Sequence, residues 1–165
     1  MRLLLMRHAN TENIANKNDF ERLLTQTGEE EAKQAATFLH ERQIDKFIVS
    51  YAKRTMQTAK IIQEKVEVAE SEIVTELYEI NQEAALDMLA RQEDRNKHIL
   101  VIGHNPIIYN LVLDLSHNNS KEYELLTESS MPTARIIVID FPSIDSWDSL
   151  HNTKGDIIEI FTPKI

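Results

Sequence analysis

The stretch LLLMRHAN, residues 3–10, contains four apolar residues that lead directly into Arg7 and His8. A short apolar run of this kind is typical of a strand buried on both faces of a sheet. A strand that ends on an arginine and a histidine can simply have reached the protein surface. Alternatively, it holds a cation and a titratable imidazole at the sheet edge where α/β folds bind ligands. The residues after the other strands must decide between these interpretations.

Length and composition favour one globular domain, which we predict to cover residues 1–165. The net charge of −9 argues against binding to nucleic acid, which requires a basic surface. No cluster of Lys and Arg resembles a membrane-binding patch, and no apolar run is long enough for a signal peptide or a membrane span. The absence of cysteine excludes disulfides and thiolate zinc sites. We therefore predict a cytoplasmic protein, and we expect a monomer because no exposed apolar stripe is evident.

Apolar runs alternate with helical patterns along the chain, and this alternation predicts a three-layer α-β-α fold. Its sheet is expected to be mostly parallel, with helices on both faces and one antiparallel edge region. Thr27 and Glu30 fit a capping box for the first helix, and Asn105 and Pro106 fit the start of the fourth. The last two strands are expected to pair antiparallel across a loop that contains Trp147. The predicted strands cover 2–6, 47–50, 98–103, 135–141 and 156–161, and the predicted helices cover 28–43, 52–66, 82–94 and 106–115.

Histidine and arginine side chains follow three of these strands. Arg7 and His8 follow the first strand, Ser50 and then Arg54 follow the second, and His104 follows the third. Because the carboxyl ends of parallel strands meet at one rim of the sheet, we expect these side chains to lie together. Arginine binds phosphate oxygens in a bidentate manner, and histidine near pH 7 can be a neutral nucleophile or a stabilising cation. The set therefore predicts an anion site suited to a phosphoryl group.

The same residues resemble the histidine phosphatase superfamily, the phosphoglycerate mutase-like proteins. MRH, residues 6–8, resembles the phosphohistidine motif of that family. Three further segments match the family in the right order: LTQTGEEEA (24–32), SYAKRTMQTA (50–59) and VIGHNP (101–106). The short length and the tail, from MPTARIIVIDF (131–141) to FTPK (161–164), resemble its small branch, the phosphohistidine phosphatases. The resemblance covers nearly the whole chain.

The resemblance implies a phosphatase in which His8 is the nucleophile and becomes transiently phosphorylated. Arg7, Arg54 and His104 would surround the transferred phosphoryl group. This arrangement suits phosphoryl transfer, which depends mostly on positioning and charge stabilisation. The implied chemistry needs no metal and no other cofactor. The implied substrate is phosphohistidine on a partner signalling or carrier protein, with inorganic phosphate as a product.

The proton donor is predicted from VTELYEI, residues 74–80, which contains Glu76 and Glu79. Mutase-like members carry a glutamate in this part of the chain, and Glu76 fits the register better than Glu79. A surface carboxylate in an acidic protein is an equally simple interpretation. A P–N bond to an imidazole needs less acid assistance than a phosphate ester does, so we expect weak activity on serine or sugar phosphates.

Departures from the family pattern bear on the substrate. Ala9 stands where many members have glycine, and Ile14, with Asn13 beside it, stands where the mutases have a phosphate-binding asparagine. This departure disfavours a mutase-like substrate pocket. Only residues 76–81 and 117–132 are available to form a lid, which predicts an open site suited to a phosphate displayed on a protein side chain.

Two alternative functions remain open at this point. The chain could be a broad small-molecule phosphomonoesterase, or it could be a phosphate-binding interaction module without turnover. A module would need the arginines but not the nucleophile, so the variant His8→Ala separates the two. Thr133, in MPTA, resembles a segment of the small branch, and we interpret it as a buried turn hydroxyl. A dinucleotide-binding fold is disfavoured because the chain has three glycines and none in the turn after its first strand.

Overall fold

Six strands form one mixed sheet in the computed structural model, which describes residues 1–79 and 81–165. Their bounds are β1 Arg2–Arg7, β2 Lys46–Ser50, β3 Glu70–Val74, β4 His98–Gly103, β5 Ile136–Asp140 and β6 Asp156–Phe161. The strand order across the sheet is β3-β2-β4-β1-β5-β6. The first four of these are parallel to one another, whereas β5 runs antiparallel to both β1 and β6.

Helices cover both faces of this sheet, so the predicted three-layer α/β fold is confirmed. Their bounds are α1 Gln26–His40, α2 Lys53–Gln63, α3 Gln82–Ala90, α4 Ile107–Leu115 and α5 Lys121–Glu128, with 3-10 turns at Asp19–Glu21 and Trp147–Asn152. Side chains alternate along β1, so Leu4 and Met6 pack with α1 and α2. Leu3 and Leu5 face the other core, which contains buried residues of α3, α4, α5 and the Trp147 turn. None of the helices in the described part of the chain is long and apolar enough to cross a membrane.

The carboxyl ends of β1, β2 and β4 lie side by side at one rim of the sheet. In the β1–β4 pairing Arg7 is opposite Gly103, and in the β2–β4 pairing Val49 is opposite Ile102. The residues that follow these three strands are therefore neighbours in space. This register brings together the segments that contain Arg7 and His8, Arg54, and His104.

The main element that the sequence pattern did not predict is β3. Its sequence is ESEIV, and Ser71, Glu72 and Ile73 are exposed because this strand forms the edge of the sheet. An edge strand has little apolar patterning to reveal it, and its charged side chains protect it from further pairing. Segment 117–132, which we considered for a lid, contains the helix α5. In segment 76–81, residues 76–79 form a turn, and Ile80 lies outside the described residues.

Both predicted helix caps are wrong. α1 begins at Gln26, and its N-cap is Thr25, whose hydroxyl accepts the N–H of Gly28, so Thr27 and Glu30 form no capping box. α4 begins at Ile107 after Pro106, and the side chain of Asn105 donates instead to the carbonyl oxygen of Met131 at 3.0 Å. In each case a side chain has a tertiary partner that the local pattern does not show.

Candidate active site

Two histidines meet at the rim of the sheet. His8 directly follows β1 and His104 directly follows β4, and the backbone N–H of His8 donates to the carbonyl oxygen of Gly103 at 2.9 Å. The ring centroids of His8 and His104 are 5.3 Å apart, and the two ring planes are inclined by 57°. Both side chains are buried. The fold therefore places two imidazoles, 96 positions apart in sequence, close enough to act on one bound group.

The tautomer of His8 follows from its hydrogen bond. Nδ1 lies 2.7 Å from the carbonyl oxygen of Ala9, and a carbonyl can only accept, so Nδ1 carries the proton. The lone pair of the neutral ring is then on Nε2. Burial lowers the pKa of His8 to about 3, and the positive charges of His104, Arg54 and Arg7 act in the same direction against the Ala9 hydrogen bond. At pH 7 His8 is a neutral imidazole whose Nε2 accepts no hydrogen bond among the described residues.

His104 is fixed through its other ring nitrogen. Its Nε2 lies 2.8 Å from the hydroxyl of Ser50, the last residue of β2. Burial and the charge of Arg54 lower the pKa of His104 to about 4, although the carboxylate of Asp19 opposes this shift. Its Nδ1 is buried and has no hydrogen-bond partner among the described residues. When Ser50 donates to Nε2, the Nδ1–H of His104 is left to donate to a ligand.

Two arginines place positive charge beside this pair of histidines. Arg54 lies in the first turn of α2, and Arg7 is the last residue of β1. Arg7 donates to the carbonyl oxygen of Met131 at 2.9 Å, and burial lowers the pKa of its guanidinium against the opposing charge of Glu31. The Nε atoms of both arginines are buried and have no partner in the described part of the chain. Buried polar groups are normally satisfied, so these donors mark a place for an anion or ordered water.

The 3-10 turn Asp19–Glu21 contacts the same site from the side. Asp19 accepts two hydrogen bonds from Arg54, through its carbonyl oxygen at 2.7 Å and its Oδ2 at 3.0 Å. Arg22 and Tyr78 also donate to its carboxylate, each at 3.2 Å. Burial acts to raise the pKa of Asp19, but these hydrogen bonds outweigh it and hold the pKa below its ordinary value. The sequence pattern does not reveal this turn, because a loop has no hydrophobic periodicity.

A buried carboxylate supports the loop that holds His8. Glu31, on α1, accepts the backbone N–H of Asn10 at 2.7 Å and the hydroxyl of Thr133 at 2.9 Å. The next residue, Ala134, donates its N–H to the carbonyl oxygens of both Arg7 and His8, at 3.1 and 3.0 Å. Thr133 is therefore a half-buried turn hydroxyl that joins the segment 131–135 to α1, and Ala134 joins the same segment to the end of β1.

The predicted proton donors, Glu76 and Glu79, are near Tyr78 in sequence. Neither makes a hydrogen bond to the histidines or arginines of the site among the described residues. Glu76 is half-buried and Glu79 is exposed, both in the turn after β3. The residue of this segment that reaches the histidines is Tyr78, whose ring lies edge-on to His104 with centroids 5.7 Å apart. Asn13 and Ile14 are exposed in the loop after β1.

Comparison with protein families gives an independent result. Residues 3–84 match the family model described as histidine phosphatase superfamily, branch 1, and this range includes Arg7, His8 and Arg54 but not His104. The first half of the chain therefore matches the histidine phosphatase superfamily. No curated protein sequence matches it significantly.

Solved structures of this superfamily share the fold over nearly the whole chain. The candidate phosphohistidine phosphatase SixA of Agrobacterium tumefaciens is 23% identical, with a TM-score of 0.81 over 98% of this chain and 97% of that one. SixA of Nakamurella multipartitia is 25% identical, with a TM-score of 0.81 over 98% of this chain and 95% of that one. A protein histidine phosphatase SixA in complex with tungstate is 21% identical, with a TM-score of 0.79 over 98% and 97%. The family-model match and these neighbours support a phosphatase.

Proposed function

We propose that this histidine phosphatase hydrolyses phosphohistidine on a partner protein through a covalent intermediate on His8. The observation that carries the proposal is the state of His8. Its ring is buried and neutral, its Nδ1–H is held by Ala9, and its Nε2, beside His104, has no partner in the part of the chain that the structure describes. A neutral imidazole with a fixed tautomer is what nucleophilic attack on phosphorus requires.

In the first step, Nε2 of His8 attacks the phosphorus of the substrate. A new P–N bond forms to His8 while the P–N bond of the substrate breaks, and the departing imidazole keeps the electron pair and takes up a proton from solvent. Arg7, Arg54 and His104 donate to the phosphoryl oxygens, where negative charge is held in the transition state.

In the second step, water attacks the phosphorus on His8. The P–N bond to His8 breaks, Nε2 regains its lone pair, and inorganic phosphate leaves with the oxygen and both protons of the water. Two arginines supply the positive charge for both steps and His104 supplies a neutral hydrogen-bond donor, so we propose that catalysis needs no metal ion. Activity that persists after treatment with EDTA would support this part of the proposal.

The relatives support the choice of substrate class. SixA proteins are named for phosphohistidine, and one of them binds tungstate, a tetrahedral oxyanion with the shape of phosphate. In addition, the site has no carboxylic acid hydrogen-bonded to His8 or His104 among the described residues, which suits a leaving group that needs little acid assistance. Glu76 remains our proposed donor for ester substrates. Glu76→Gln should slow p-nitrophenyl phosphate hydrolysis more than phosphohistidine hydrolysis.

The test is phosphate release from a histidine-phosphorylated carrier protein and from p-nitrophenyl phosphate. Wild type should act on the phosphoprotein, and His8→Ala should abolish this activity while still binding phosphate. His117→Ala is the matched control, because His117 is an exposed histidine outside the site. Brief incubation with labelled substrate should leave a label on wild type that is lost in acid and retained in base, as expected of phosphohistidine.

Each other outcome contradicts part of the proposal. Faster hydrolysis of a small phosphate ester than of any phosphoprotein would indicate a small-molecule phosphomonoesterase. Phosphate binding without turnover on either substrate would indicate a phosphate-recognition module. Equal activity of wild type and His8→Ala would exclude His8 as the nucleophile.

A further inference from the structure

Asp19 contacts both terminal nitrogens of Arg54. One nitrogen donates to the carbonyl oxygen of Asp19 at 2.7 Å, and the other donates to its Oδ2 at 3.0 Å. The side chain of Arg54 is 7% exposed, so it has little freedom around this contact. Its Nε is also buried but has no partner among the described residues. Asp19 thus binds one end of the guanidinium and leaves the Nε–H unused.

The carboxylate of Asp19 is itself held in place. Arg22 donates to its Oδ1 and Tyr78 donates to its Oδ2, each at 3.2 Å. Within the same turn, Phe20 packs against Tyr51 and Tyr78, with ring centroids 4.8 and 6.4 Å apart. A carboxylate with donors on three sides and an anchored backbone is a fixed part of the site. An incoming phosphate would not readily displace it.

We propose that Asp19 is a positioning residue that orients Arg54 so that the Nε side of its guanidinium binds the phosphoryl group. The inference rests on the proposed function, in which the phosphoryl group lies between His8 and His104. A free arginine side chain samples many rotamers and loses that freedom when it binds an anion. Asp19 fixes Arg54 before phosphate arrives, so less freedom is lost on binding.

Positioning and simple electrostatics predict opposite effects of removing this carboxylate. Asp19 is an anion beside a site for an anion, so by Coulomb's law its removal should strengthen phosphate binding. If Asp19 orients Arg54, its removal should weaken phosphate binding despite the more positive site. The direction of the change in affinity therefore distinguishes the two roles.

The experiment measures the binding of inorganic phosphate by calorimetry and by competitive inhibition. We expect Asp19→Ala to weaken phosphate binding about tenfold, the loss typical of one charge-assisted hydrogen bond. Asp19→Asn keeps an acceptor for Arg54 and should lose less. Glu21→Gln is the matched control, because it removes one negative charge from the same turn. Glu21 pairs with Lys53 at 3.0 Å and not with Arg54. The Glu21→Gln variant should therefore bind phosphate as tightly as wild type or slightly more tightly.

The result that overturns the proposal is equal or tighter phosphate binding by Asp19→Ala. A purely structural role would lower the thermal stability of the variants together with their phosphate affinity, so the melting temperature of each variant is also measured. We expect little change in melting temperature, because Asp19 is more than half exposed. Wild type that binds phosphate but releases none from the phosphoprotein contradicts the proposed function and leaves the binding series to decide on Asp19. Wild type that does not bind phosphate overturns both.

Discussion

Nδ1 of His8 lies 2.7 Å from the carbonyl oxygen of Ala9, the residue that follows it. This contact uses no other side chain, yet it fixes which nitrogen of the ring faces the site. Because Nδ1 must donate, only Nε2 can attack an electrophile. Burial then removes the proton that would block Nε2 at neutral pH. A backbone carbonyl and the end of a buried strand are therefore enough to prepare this histidine as a nucleophile.

The low pKa values of the two histidines predict that the fold loses stability in acid. The unfolded chain binds protons on these imidazoles near pH 6.5, whereas the folded chain binds them near pH 3 at His8 and pH 4 at His104. Between these values the unfolded state holds more protons, so the free energy of unfolding falls as pH decreases from about 6.5 toward 4. Each histidine contributes a slope of up to about 1.4 kcal/mol per pH unit.

The variant His8→Asn tests this linkage. Asparagine does not titrate, so the slope of unfolding free energy against pH should be smaller than in wild type by about 1 kcal/mol per pH unit near pH 5. Urea unfolding at pH 7, 6 and 5 measures both slopes. Identical slopes for wild type and His8→Asn would show that the folded chain protonates His8 as readily as the unfolded chain does.

Ser50→Ala should slow turnover without preventing it. The hydroxyl of Ser50 is the partner of Nε2 of His104, and its loss leaves the ring free to rotate or change tautomer. We expect kcat for the phosphoprotein to fall about 3- to 10-fold with little change in KM, as for loss of one hydrogen bond of about 1 kcal/mol. Ser116→Ala is the matched control, since Ser116 is a buried serine whose hydroxyl has no partner among the described residues. Equal kcat values for the two variants would contradict a role for Ser50.

The sequence predicted the site residues that directly follow a strongly apolar strand. The runs before Arg7 and His104 predicted two neighbouring strands, and the parallel order of the sheet then brought the following residues together. The sequence did not predict Asp19 and Tyr78, which reach the site from a 3-10 turn and from the turn after an edge strand. Loops carry no periodicity, so their contacts depend on tertiary packing that no local pattern encodes.

The helix caps failed for a related reason. Thr25 and Thr27 are both plausible N-cap residues in TQTG, and the sequence alone favoured Thr27 because Glu30 follows three positions later. Thr25 is the cap because its hydroxyl also donates to the side chain of Asn10 at 2.8 Å, in the loop after β1. A contact with the loop after β1 thus accompanies the cap that the structure adopts.

The assignment of Thr25 as the cap predicts different stabilities for two threonine variants. Thr25→Ala removes the acceptor for the N–H of Gly28 and the donor to Asn10, and it should lower the free energy of unfolding by about 1–2 kcal/mol. Thr27→Ala is the matched control, because Thr27 is exposed in the first turn of α1 and should change stability by less than about 0.5 kcal/mol. Urea unfolding measures both values. A larger loss in Thr27→Ala would contradict the assignment of Thr25 as the cap.

Among the variants near the site, Glu31→Ala should cause the largest loss of stability. Glu31 is 8% exposed and accepts hydrogen bonds from Asn10 and Thr133, so Glu31→Ala leaves a half-buried N–H and a half-buried hydroxyl without their acceptor. We expect the free energy of unfolding to fall by about 2–4 kcal/mol. Glu31→Gln should lose less, because its amide can accept from Asn10 and donate to Thr133 while only the negative charge is lost.

Fluorescence of the single tryptophan of the chain measures the urea unfolding of these variants. Trp147 is fully buried against the opposite face of the sheet, so its fluorescence reports unfolding of the whole domain and not only of the site. Glu30→Ala is the matched control, since Glu30 is an exposed residue next to Glu31 on the same helix and should change stability little. If Glu31→Ala and Glu30→Ala unfolded at the same urea concentration, Glu31 would not anchor the loop. A loss in Glu31→Gln equal to that in Glu31→Ala would assign the effect to charge instead of hydrogen bonding.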